Sequence, residues 1–126
     1  MNDDLFQQGL EIRRAVLGPE NVDKSIASPD DFNRPMQALV TEYCWGASGG
    51  RPGLERRTRS MLNLAMLSAL GKPHELKLHV KGAIRNGVSK EEITEVFLQV
   101  AIYCGVPAAI DAFRVARETF KEMESE

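Results

Sequence analysis

The sequence has 126 residues, 43% hydrophobic and 27% charged, with a formal net charge of −2. That length suits one domain, residues 1–126, with a single core small enough that shared interfaces would help it. The near-neutral balance gives no reason to expect nucleic acid or an acidic membrane as a general partner.

The start, Met1-Asn2-Asp3-Asp4, is acidic and has no apolar run behind a basic segment, so no secretory signal is expected. No apolar stretch approaches the roughly 20 residues that span a bilayer. Cys44 and Cys104 lie far apart and form no CxxC pair. Two such thiols do not make a disulfide scaffold, and a reducing cytoplasm is the expected setting.

Helix signals dominate in chain order. Leu5, Leu10, Ile12, Val16 and Leu17 sit among charged residues, and Gly18-Pro19 ends that amphipathic segment. Residues 19–28 read as a short turn or helical scrap. Ser28-Pro29-Asp30-Asp31 has the form of an N-cap, a proline at the first helical position and an acidic first turn, predicting a helix to about Trp45. Gly46 to Gly53 reads as a glycine-rich loop.

From Glu55 to Leu70 the pattern leaves almost no polar side, which predicts a helix whose C-terminal part is buried all round. Gly71 closes it, and Pro73 begins a helix ending near Asn86-Gly87. Ser89-Lys90-Glu91-Glu92 is a capping box for the next helix. There Ile93, Val96, Phe97, Val100, Ala101 and Cys104 mark one face, with Leu98 and Ile102 opposite. Gly105-Val106-Pro107 breaks the run before a last helix to about Glu122. The expected fold is an all-α bundle of five to seven helices. Two helices with apolar surface on more than one side point to a homo-oligomer.

Gly46-Ala47-Ser48-Gly49-Gly50 formally matches G-x-S-x-G, but a nucleophile elbow needs a strand-to-helix turn, and no strand pattern surrounds it. His74 and His79 are five apart, which puts them about 140° apart around a helix. They cannot share a metal in the manner of H-E-x-x-H, and no metal site is expected.

His79 falls in the stripe Leu76, His79, Val80, Ala83, so an imidazole takes a core-facing position. It reads as a hydrogen-bonded structural histidine or as a general acid/base that can change charge near neutral pH. Glu95 borders the Leu98/Ile102 stripe, as a solvated edge residue or a partly buried carboxylate with a raised pKa. Arg51, on the Gly/Pro loop, and Arg56, Arg57 and Arg59 cluster against a single acid, Glu55. Guanidinium forks suit planar carboxylates, so with an acid/base candidate they suggest a small anionic substrate. Cys104 and Cys44, beside Trp45, read as small buried hydrophobes.

Read together, these residues resemble the carboxymuconolactone decarboxylase family, within the alkylhydroperoxidase D-like superfamily. The similar stretches run in order along nearly the whole chain: Gly9 to Gly18, Trp45-Gly46, Arg51 to Leu54, Arg57 to Ser60, Glu75 to His79, Asn86 to Val88, and Tyr103 to Ala109. The resemblance implies an all-helical, single-domain protein assembled as a ring-like homo-oligomer, a hexamer or trimer. It also implies cofactor-free decarboxylation of γ-carboxymuconolactone to β-ketoadipate enol-lactone and carbon dioxide, in cytoplasmic breakdown of aromatic compounds.

On that reading His79 donates the proton, Arg51 and Arg59 hold carboxylates, Trp45 contacts substrate and Glu95 orients or tunes the site. The family's Trp-Gly-Glu followed by a second tryptophan is replaced here by Trp45-Gly46-Ala47-Ser48-Gly49-Gly50, which opens the way to a related lactone or ring acid. The superfamily's thiol peroxidases depend on CxxC, whereas Cys104-Gly105-Val106-Pro107 supplies only its first cysteine. Peroxidase activity is the runner-up reading. A non-catalytic oligomeric binding protein for aromatic acids is the third.

Overall fold

The computed structural model describes residues 3–27 and 30–126. Among the described residues every regular element is helical, in line with the all-α expectation. The chain divides into two compact units, Met1–Glu55 and Arg56–Glu126.

In the first unit, α1 (Asp3–Leu17) and α2 (Pro19–Ala27) are followed by α3 (Arg34–Leu39), which runs into a π-helix, Val40–Ser48. The segment read as a helical scrap is therefore a full short helix. Ser28 and Pro29, the expected helix start, lie outside the described residues. Asp30 begins a turn instead: its carboxylate accepts from the Phe32 N–H at 2.9 Å and its carbonyl from the Arg34 N–H at 2.9 Å. The helix starts only at Arg34, with Pro35 in the first turn, where a missing N–H is tolerated.

The glycines read as a loop from position 46 are helical to Ser48, and the Gly49 N–H reaches back five residues to the Cys44 carbonyl at 3.0 Å. Their smallness serves packing. A Cβ on Gly9 would collide with the Thr41 carbonyl oxygen, and one on Gly46 with the Leu5 carbonyl oxygen. The backbones of α1 and the π-helix thus meet directly, over Leu10, Ile12, Val16 and Leu17.

Gly9→Ala is expected to destabilise this unit by about 1–3 kcal/mol through overpacking, outweighing the roughly 1 kcal/mol that alanine gains in a helix. Trp45, the one tryptophan, lies in this unit. Its fluorescence in urea reports the change, and an unaltered midpoint would show that the two backbones separate freely.

The second unit is four helices: α4 (Arg56–Leu70), α5 (Pro73–Arg85), α6 (Lys90–Cys104) and α7 (Val106–Glu124). Helix α4 packs on α5 and α6, and α7 packs on the same two. Leu64, Leu76, Val80, Ala83, Ile93, Phe97, Ala112 and Ala116 form the core, with Phe97 edge-on to Phe113 at 5.2 Å between centroids.

The capping box forms as expected: Ser89 Oγ accepts from the Glu92 N–H, and the Glu92 carboxylate accepts from the Ser89 N–H. Gly105, at φ 107°, is the single residue between the end of α6 and the start of α7. Among the described residues no helix is long and apolar enough to cross a membrane.

One expectation for α4 is corrected. Its C-terminal part is not buried all round, because Leu62, Met66 and Leu70 are 47%, 53% and 69% exposed. The core lies on the side of Ser60, Leu64 and Ser68, and the opposite stripe is exposed. Ile102 of α6 is likewise 79% exposed, opposite Ile93 and Phe97.

Candidate active site

Helix α5 begins at Pro73, which fixes the phase of the residues that follow. At its far end Asn86 Nδ2 donates to Ser60 Oγ of α4 at 2.9 Å, marking the side of α5 turned toward α4. His79 stands seven residues earlier, two helical turns, and so shares that side. On another side, Lys77 pairs with Glu122 at 2.6 Å and Lys81 with Glu126 at 3.1 Å, tying α5 to α7 and the residues just after it.

Leu76, Val80 and Ala83 of the stripe read from the sequence are fully buried, whereas His79 is half-buried. Burial lowers the His79 pKa below the ordinary 6.5, and the Glu75 carboxylate acts in the opposite direction. The sign for stability follows. As pH falls below about 6.5, the unfolded chain takes up this proton before the folded one does, so stability present above that pH is lost. Urea midpoints at pH 7.5 and 5.5 should separate more for the native protein than for His79→Gln; equal separations would contradict the assignment.

Arg59 is half-buried on α4 and heads the stripe continued by Leu62, Met66 and Leu70. Because its neighbour Ser60 meets Asn86, Arg59 is level with the C-terminal end of α5, about 10 Å along the axis from His79. A long arginine side chain and a small diacid together can cover that span.

Arg57 is committed elsewhere. It bonds to Glu92 in the first turn of α6, and that bond, with the one from the Ser89 backbone, holds the Glu92 carboxyl below its usual range. Glu95 is exposed, on the face of α6 opposite Ile93 and Phe97. Within one chain the helical angle turns it away from the core.

Trp45 and Arg51 belong to the first unit. Trp45 is half-buried in the π-helix, and Arg51 is exposed in the loop after it, its N–H bonded to the Ser48 carbonyl at 3.2 Å. Both cysteines are free thiols and both are exposed, which corrects their reading as buried hydrophobes. Cys104 shares the inward phase of Ile93, Phe97 and Val100 but is the last residue of α6, past the end of the core. Among the described residues no three His, Cys, Asp or Glu side chains gather as a metal set.

Sequence reasoning missed two features. Glu75 lies four residues before His79, and that i, i+4 spacing was the signal for it. Arg13 is buried in the first unit, donating to Gln37 Oε1 at 3.0 Å and Thr41 Oγ1 at 3.1 Å. Its desolvation lowers its pKa from the usual arginine value. The signal was its place between Leu10 and Val16 on an apolar stripe.

Residues 34–118, the last part of the first unit and most of the second, match the carboxymuconolactone decarboxylase family, and the chain belongs to that family. Most of the helical unit with its half-buried histidine lies within that match. Over 124 residues the chain is 41% identical to 4-carboxymuconolactone decarboxylase of Acinetobacter baylyi, covering 98% of this chain and 92% of that protein. Over 119 residues it is 43% identical to nitrosuccinic acid decarboxylase of Metarhizium robertsii, covering 94% of this chain and 83% of that protein.

Proposed function

We propose that the protein is a carboxy-lyase for a small diacid that carries its own electron sink, 4-carboxymuconolactone in the first instance, and that it uses no metal or organic cofactor. The observation that carries this reading is near full-length similarity to two decarboxylases, in a chain with a half-buried imidazole on α5. Carboxy-lyase chemistry is what the names of those two relatives share. We take the 126 residues as one functional domain.

The chemistry balances with side chains alone. The bond to the departing carboxylate breaks, carbon dioxide leaves, and the electron pair delocalises through the unsaturated lactone onto its ring carbonyl oxygen. A donor near that oxygen stabilises the developing enolate, and an acid then protonates the ring carbon beside the carbonyl. His79 is the proton donor. Arg59 and Arg51 hold carboxylates, Trp45 lines the substrate, and Glu95 orients or tunes the site.

Glu95 faces outward in one chain, so its role requires another copy. A homo-oligomer, hexamer or trimer, is the working form in this reading, supported by the exposed Leu62, Met66, Leu70 and Ile102. The cytoplasm and aromatic-acid catabolism are its implied setting.

A second substrate has specific support. Nitrosuccinic acid is also a small diacid, and its nitro group can accept the electrons released with carbon dioxide. The relative named for it is as similar to this chain as the lactone decarboxylase.

The test is incubation of purified protein with each acid, following carbon dioxide and, for the lactone, the enol-lactone. Turnover of one or both is expected. Folded protein that binds an acid saturably and releases no carbon dioxide would overturn the enzymatic reading.

A further inference from the structure

We propose that Glu75 is a positioning residue for His79: its carboxylate, one turn earlier on the same side of α5, stabilises the protonated imidazole that delivers the proton. The proposal rests on the reading of His79 as proton donor and gives that residue a local source of negative charge.

The need for such a charge follows from the geometry. A proton donor must hold its proton before it can give it away, and half-burial works against the imidazolium. Among the described residues of the second unit, the helices packed against α5 supply little else that is negative on this side. Along α4, the helix that His79 faces, the segment Ser60 to Leu70 has no charged side chain, and the charged residues at its head, Arg56, Arg57 and Arg59, are cations. On α7, Glu122 is engaged by Lys77 on another side of α5, as is Glu126 beyond the helix end by Lys81; Asp111 pairs with Arg114, Glu124 with Lys90, and Glu118 is exposed. On α5 itself the remaining charged residues are Lys77, Lys81 and Arg85, all cations, with His74 as the other titratable group.

Glu75 alone among the charged groups of α5 is acidic, and it lies at i−4 to His79. That spacing brings side chains together on a helix surface. It also stands in the first turn, where the helix dipole favours a carboxylate. Opposed contributions to the His79 pKa, burial lowering and Glu75 raising, agree with this arrangement.

The test is titration of the two imidazoles by NMR in the protein without substrate, with His74 as internal comparison. Glu75→Gln removes the charge and keeps the shape. It should lower the His79 midpoint by about 0.2–0.4 of a pH unit, the shift equivalent to one exposed i, i+4 ion pair. Glu75→Asp should retain most of the native midpoint. Glu75→Ala, a good helix former, reads the same shift if the glutamine variant does not fold.

An unchanged His79 midpoint in the charge-removing variants, or an equal displacement of His74, would overturn the proposal. In protein that turns over, the pH profile of carbon dioxide release should move by the same amount as the His79 midpoint. Absence of turnover from either acid would sink the decarboxylase reading and leave the NMR result to judge Glu75 by itself.

Discussion

Replacement of His79 by glutamine is expected to lower the turnover number for decarboxylation by about 10²–10⁴-fold, the usual contribution of a positioned general acid. Substrate KM should change little. Glutamine keeps a similar reach and can still donate one hydrogen bond, but it has no proton to release near neutral pH. The fold should survive, because His79 is only half-buried and Leu76, Val80 and Ala83 hold α5 in the core. Kinetics over a range of substrate concentration, with urea denaturation alongside, make the check. A raised KM at unchanged turnover would mean that the imidazole merely binds the acid.

Replacement of Arg59 by alanine is expected to lower kcat/KM by about 10–150-fold, mostly through KM. That range is the loss of one charge-assisted hydrogen bond to a carboxylate, at about 1.5–3 kcal/mol. Lysine at the same position should recover part of the loss, since it keeps the charge and loses the two-pronged geometry.

Arg57 provides the contrast. Its guanidinium is bonded to Glu92, so Arg57→Ala should disturb the junction of α4 with α6 and leave KM near the native value. Equal effects of the two alanine variants on KM would dissolve the distinction between a substrate arginine and a structural one.

Much of this was legible in the sequence where a local rule decides the outcome. Ser89 and Glu92 make the capping box, Pro73 opens α5, Gly105 separates α6 from α7, and the 3.6-residue period places Phe97 inward and Ile102 outward. Local rules failed where a long-range contact overrode them. Gly46 to Gly50 has the composition of a loop, but Gly46 is small because the α1 backbone passes against it, and composition alone does not reveal that neighbour. Arg13 was passed over because a charged residue reads as exposed unless its partners, Gln37 and Thr41, are known.

Apolar character along α4 also overstated burial within one chain. Periodicity reports that Leu62 and Met66 are apolar, without saying whether the chain itself packs on them, and both are exposed. The candidate site divides along the same line. The sidedness of His79 follows from helical phase and was readable in advance. The commitment of Arg57 to Glu92 depends on how α4 and α6 pack, and no spacing rule announces it.

The claim on which the account turns is that a protein acid, not solvent, protonates the substrate carbon. Decarboxylation in heavy water tests it directly, with the enol-lactone taken promptly for NMR. The ring carbon beside the carbonyl should carry a single deuterium in one configuration from the native protein, with that preference lost in whatever slow product His79→Gln forms. A racemic mixture from the native protein, or the same single configuration at native speed from the variant, would contradict it.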